Sequence, residues 1–144
     1  NNNVQLFQTP DQIVMVIEMM NDVRVIPLDG RPHGEIRQWM GDSRGHWEGD
    51  TLVVETTSFD RVLPLIGASR NATLVERFTR VSADILDYEY TIEDPTTWTR
   101  PWTAVQSLRK NPEPLFEYAC HEGNYAAANM LAGARQDEAA AAGR

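Results

Sequence analysis

Residues 73–93 read TLVERFTRVSADILDYEYTIE, and they decide the fold. In the second half Leu86, Tyr88, Tyr90 and Ile92 alternate with Asp87, Glu89, Thr91 and Glu93. A period of two places the first set on one face of a strand and the second set on the other. Residues 85–93 therefore form a strand with one buried and one wet face. Residues 73–81 have the same β-rich character, and Ser82-Ala83-Asp84 supplies a turn between the two runs. The pair reads as a hairpin.

The same pattern extends outward. Upstream, TLVVETTSF (residues 51–59) is β-branched and alternating, and Gly49-Asp50 before it is a two-residue hairpin turn. EIRQWM (residues 35–40) is expected as another strand, and GDSRG (residues 41–45) as a tight turn. Nearer the start, VQLFQ (residues 4–8) is short and apolar. QIVMVIEMM (residues 12–20) is apolar on both faces, as a buried strand should be. Asn21-Asp22 separates it from VRVIPL (residues 23–28), where Pro27 marks an edge or bulge. Residues 60–71 are the longest loop, and their LPLIG could cap a barrel mouth.

Downstream, WTAVQSLRK (residues 102–110) and LFEYAC (residues 115–120) add two more strands. Only the end changes period. NYAAANMLAGAR (residues 124–135) is alanine-rich and helical, with Gly133 as its expected stop and Tyr125, Met130 and Leu131 to pack it on the sheet. The fold class is thus all-β for the most part: an antiparallel meander forming a curled sheet or a calycin-like barrel, with one C-terminal helix. Residues 1–135 form a single β domain, and residues 136–144 a flexible tail.

The composition agrees. A chain of 144 residues with 42% hydrophobic content can build one core without crosslinks. Its net charge of −8 speaks against nucleic acid or an anionic membrane as partner, because phosphate binding needs clustered Lys and Arg. The apolar run at residues 13–20 is interrupted by Glu18 and far shorter than a membrane span. The single cysteine, Cys120, excludes an internal disulfide and reads as a small buried apolar residue. The chain opens directly in a strand, so a processed or partial form is expected.

The densest chemistry lies at residues 39–50, WMGDSRGHWEGD. Two turns with Trp47 plugging a sheet end account for this stretch without catalysis. The catalytic alternative uses His46 with Asp42, Glu48 or Asp50 as an acid/base pair. His46 and Glu48 would then share one strand face, with Trp47 on the other. No metal site and no cofactor are expected, since His33, His46 and His121 show no ligand spacing. Ser43 in G-D-S-R-G lacks nucleophile-elbow spacing, and Cys120 beside His121 is no dyad by adjacency alone. The aromatic residues form the better lead. Tyr88, Tyr90, Trp98, Trp102, Phe116 and Tyr118 would line the interior of a closing sheet, where one small ligand fits. Arg80 or Arg77, if buried, becomes an anion anchor; otherwise each is a surface partner of Asp87 or Glu89.

The run WMGDSRGHWEGDTLVVETTSF, with VERFTR, YTIEDPTTWTRPW and FEYACHE after it, resembles a family of small, often exported bacterial proteins with no assigned function. The resemblance spans about residues 4–125, mainly through WEGDTLVV and the DP…W…PW segment. It implies an extracytoplasmic protein, periplasmic or secreted, and carries over no catalytic residue. The expected function is noncatalytic. The domain would hold a small apolar or aromatic molecule, or pack as an accessory subunit on a larger protein assembly. The competing class is a cofactor-independent lyase or isomerase working through the His46–carboxylate pair.

Overall fold

The computed structural model describes residues 3–60, 67–119 and 122–143. These form β1 (Val4–Gln8), β2 (Gln12–Ile17), β3 (Asp22–Pro27), β4 (Asp42–Glu48), β5 (Thr51–Thr57), β6 (Thr73–Arg80), β7 (Ile85–Glu93), β8 (Trp102–Arg109) and α1 (Ala126–Ala142). The protein is mostly β. The strands pair in sequence order and antiparallel, in a three-stranded sheet β1-β2-β3 and a five-stranded sheet β4-β5-β6-β7-β8.

The hairpin that decided the fold lies where the alternation put it, but β7 does not have one buried and one wet face: Asp87, Glu89 and Thr91 are half-buried like Leu86, Tyr88 and Tyr90, and only Ile92 is fully buried. Tyr88 faces Phe78, Tyr90 faces Glu76 and Ile92 faces Leu74 across the β6–β7 ladder. Gly49-Asp50 closes the β4–β5 hairpin, with Gly49 at φ +61°, a conformation open to glycine at little cost.

The described strands close no barrel, so the curled sheet fits and the barrel is not seen. Gly45 gives the reason. A Cβ there would stand 2.8 Å from Leu28 Cδ2 and 2.9 Å from Ile26 Cγ2. The end of β3 therefore lies over the face of β4 instead of beside its edge. The small sheet is laid across the large one: Gln8 shares a cleft with Asp50, while Asn3, before β1, accepts a hydrogen bond from Asn111, beyond β8, at 3.2 Å.

Ile13, Met15 and Ile26 from the small sheet pack against Leu52, Val54 and Phe78 from the large one. Each such side chain, fully buried, contributes about 1.5–3 kcal/mol. A second cluster, Phe59, Ala68, Ala72, Leu74 and Ile92, sits at the far end with Tyr90, Trp98 and Trp102 against it. Asp94 fastens that end. Its carboxylate accepts from the Ser69 N–H at 2.6 Å and from the Thr96 and Thr97 hydroxyls at 2.6 and 2.7 Å.

Several expectations need correction. Residues 41–45 are not a turn: Asp42 starts strand β4, and Gly45 lies inside it for close packing. Residues 35–40 form no strand. They meet the chain at one bridge, Gln38 with Phe59, and the Arg37 guanidinium ties them down through the Phe59 and Arg70 carbonyls at 2.8 and 2.6 Å. β2 ends at Ile17, because Met20 and Asn21 take positive φ in a tight 3-10 turn. Residues 115–119 are not a strand, and Cys120 lies outside the described residues. The helix does not stop at Gly133 but continues to Ala142, since a single glycine costs only about 1 kcal/mol in an alanine-rich helix. Tyr125, Met130 and Leu131 are exposed, not packed on a sheet. The LPLIG segment falls outside the described residues except for Gly67.

Candidate functional site

The inner face of the large sheet carries a continuous run of rings. Phe78 and Tyr88 stack with centroids 4.8 Å apart, and Tyr88 and Tyr90 stack at 5.4 Å. Tyr90 meets Trp102 edge-on at 5.8 Å, and Trp102 meets Trp98 edge-on at 5.6 Å. Such pairs add about 0.5–1.5 kcal/mol each beyond their buried area. Four of the six aromatic residues singled out from the sequence are thus joined in one ladder. Phe116 and Tyr118 lie on the exposed stretch after β8, where the Phe116 N–H donates to Glu18 Oε1 at 3.4 Å.

At the Phe78 end the ladder opens on a cleft of about 190 Å³. Leu6 and Ile13 from the small sheet and Trp47, Leu52, Phe78 and Leu86 from the large one form its walls. Gln8, Asp50 and Arg80 supply its polar atoms. The β4 alternation aims Trp47 inward with Gly45 and Ser43, yet Trp47 stays 46% exposed. It walls the cleft and does not plug the sheet end. Arg80 is not buried: its guanidinium donates to the Ser82 and Ala83 carbonyls, which holds it at the mouth. A second depression, of about 250 Å³, lies on the outer face among Arg77, Thr79, Val81, Asp87, Glu89 and Val105, away from the rings.

A charged group is buried at the ladder's midpoint. Arg24 of β3 reaches through to Glu76 of β6, with Nη2 2.6 Å from Oε2 and Nη1 3.1 Å from Oε1. Its Nη2 also donates to Ser43 and Thr56 hydroxyls at 3.1 and 3.0 Å. The Tyr88 hydroxyl donates to Glu76 Oε1 at 2.9 Å. Arg24 Nε is buried with no hydrogen-bond partner among the described residues. Burial, and then the Glu76 charge, raise the Tyr88 phenol well above its ordinary value, so it stays protonated. The group is electrically paired and closed to solvent, which suits architecture better than turnover.

The acid/base residues are not gathered in any cleft. His46 and Glu48 do share a strand face, with His46 Nε2 3.3 Å from Glu48 Oε1. That face is the outer one, and the His46 side chain is 60% exposed. Glu48 is held low by the hydrogen bond from Arg77 at 2.6 Å and then by His46. Asp42 is engaged elsewhere. Its carboxylate accepts from the Gly34 N–H at 2.8 Å, from Arg44 at 2.5 Å and from His33 Nδ1 at 3.2 Å. Burial pushes Asp42 up, but these partners outweigh it and leave it below the usual carboxylate range. Asp50 sits alone in its turn at the cleft mouth.

His33, weighed from the sequence only as a metal ligand, has a different part. Its second nitrogen lies 3.1 Å from Glu55 Oε1, so the ring bridges two carboxylates and pins residues 29–41 onto β4 and β5. Asp42 and Glu55 share the outer face across the β4–β5 ladder, but the loop histidine gives no period to detect. Among the described residues no group of three His, Cys, Asp or Glu could hold a metal ion, and His121 lies outside them. No described helix is long and apolar enough to cross a membrane.

Comparisons with protein-family models, curated proteins and solved structures return no match.

Proposed function

We propose that the protein is a noncatalytic binding domain that holds a small aromatic molecule in the cleft at the Phe78 end of its curled sheet. The observation that carries this reading is the solvent-open Trp47 in one cleft with Phe78, Leu86 and Leu6, a mainly apolar space with Gln8, Asp50 and Arg80 as its polar lining. Size narrows the ligand. A cavity of roughly 150 Å³ accepts benzene, whereas drug-sized ligands occupy roughly 300–1,000 Å³. At about 190 Å³ the cleft suits a single ring bearing a small polar substituent. Asp50 and Arg80 at the mouth would meet that substituent. The resemblance through WEGDTLVV and DP…W…PW supports an extracytoplasmic setting, where such a domain would sequester or pass on its ligand. The lyase or isomerase reading gains no support from His46, which faces away from the cleft.

The test is a titration with p-cresol and benzoate, followed by NMR at the Trp47 indole N–H. Saturable shifts at Trp47, Phe78 and Leu86 are expected; those at Phe78 and Leu86 should be lost in Trp47→Ala, and all three retained in Trp98→Ala. Shifts that stay linear to millimolar concentration, or that are indifferent to Trp47→Ala, would sink the reading.

A further inference from the structure

Two opposite charges line the cleft mouth without meeting. Asp50 and Arg80 lie one position beyond Thr51 and Thr79, a pair at the end of the β5–β6 ladder. Alternation turns both toward the inner face. A carboxylate and a guanidinium placed across neighbouring strands ordinarily attract and close on one another. Arg24 with Glu76 and Arg77 with Glu48 do so, at 2.6 Å each. Asp50 and Arg80 form no ion pair. The Arg80 guanidinium is turned back onto its own chain, where Nε donates to the Ser82 carbonyl at 3.2 Å and Nη2 to the Ala83 carbonyl at 3.1 Å. Its Nη1 has no partner among the described residues, and neither has the Asp50 carboxylate. Gln8, from the small sheet, adds a polar amide to the same cleft.

We infer, resting on the cleft reading above, that the ligand is a zwitterion: a free α-amino acid with a single aromatic ring. The charges at the mouth select for this class. A ligand with one charge gains from one of the two groups and loses to the other, because like charges brought together repel. A zwitterion meets both favourably. In an α-amino acid the ammonium and the carboxylate share one carbon, and the ring hangs from that carbon by a single methylene. With the ring among Trp47, Phe78 and Leu86, the head stays at the mouth. There the ammonium would donate to Asp50, and the carboxylate would accept from Arg80 Nη1. A cleft of about 190 Å³ has room for the ring and leaves the charged head in contact with water, where its hydration is only partly given up. The Ser82 and Ala83 carbonyls already hold the guanidinium, so less freedom is lost when the ligand arrives. In a chain of net charge −8, a mouth with one charge of each sign favours neither cations nor anions as such.

The experiment is an NMR titration of the full chain at pH 7 with phenylalanine, hydrocinnamate and phenethylamine, beside p-cresol as the uncharged ring. Hydrocinnamate lacks only the ammonium and phenethylamine only the carboxylate. Phenylalanine should bind about fivefold tighter than either, since an exposed charge contact is worth up to about that factor. Asp50→Asn should abolish its advantage over hydrocinnamate, and Arg80→Gln its advantage over phenethylamine. Asparagine is at home in a turn, so Asp50→Asn leaves the β4–β5 hairpin intact. Saturation by p-cresol with no preference for phenylalanine would overturn the zwitterion and leave the cleft reading standing. An advantage over hydrocinnamate that survives Asp50→Asn would overturn it as well. If none of the four compounds saturates, the cleft reading falls and this inference falls with it.

Discussion

Arg24 and Glu76, 52 residues apart, meet in a two-pronged ion pair that joins the small sheet to the large one. Both side chains are buried, so the pair has already lost its water. Removing one partner leaves a naked charge, at a cost of about 3–5 kcal/mol. Glu76→Ala should therefore lower the unfolding free energy in urea by about that much. The triple variant Arg24→Met, Glu76→Leu, Tyr88→Phe should lose far less, since no charge is stranded. Equal losses would mean that shape, not charge, is what the site supplies.

Tyr88→Phe alone removes a donor from Glu76 and should cost about 1–2 kcal/mol. Burial and Glu76 hold the Tyr88 proton at pH values where a free phenol ionises. The tyrosinate absorbance gained up to pH 11 should therefore be the same in this variant as in the wild type. A smaller gain in the variant would show that Tyr88 titrates and that the interior is wetter than its packing implies.

Asp94 governs behaviour in acid. Burial pushes its carboxyl up, but hydrogen bonds from Thr96, Thr97 and Ser69 outweigh this and hold it well below the ordinary value. A depressed folded-state pKa contributes stability that is complete above the unfolded value of about 4 and fades as pH falls below it. Asp94→Asn should lower the urea midpoint at pH 7. It should also flatten the decline between pH 4 and pH 2 that the wild type shows. An unchanged slope in acid would assign the decline to other carboxylates.

Gly45→Ala tests the close approach of the sheets. The added methyl would sit under 3 Å from Ile26 and Leu28 side chains, and should cost about 1–3 kcal/mol through overpacking. Pairing it with Leu28→Ala should return part of the loss. No recovery would place the strain at Ile26, whose Cγ2 also stands 2.9 Å from the added methyl.

The β6–β7 hairpin was legible because apolar and polar residues alternate without a break from Leu86 to Glu93. Arg24 was legible in principle: in VRVIPL it shares a face with Ile26, and Glu76 shares one with Leu74 and Phe78. A charge on an apolar face asks for a partner of opposite sign, and here each is the other's. The partner itself was not legible, because pairing across sheets has no period. Gly45 misled for a related reason. Glycine marks both turns and close contacts, and only the neighbour it admits tells them apart. Tyr88, Tyr90 and Trp102 followed from inward strand positions, whereas Trp98 comes from the turn between β7 and β8. The part of His33 did not follow, since its loop has no face.

Hydrocarbon surfaces slide over one another with little preference for where they stop. Arg24, set among Glu76, Ser43 and Thr56, ends that freedom. Shifting the small sheet by one strand residue pair would drag a guanidinium into Leu52 or Val54 territory and strand a carboxylate behind it. The buried pair thus acts as an alignment pin. It fixes how far β1 reaches over Trp47 and Phe78, and through that the width of the cleft between them.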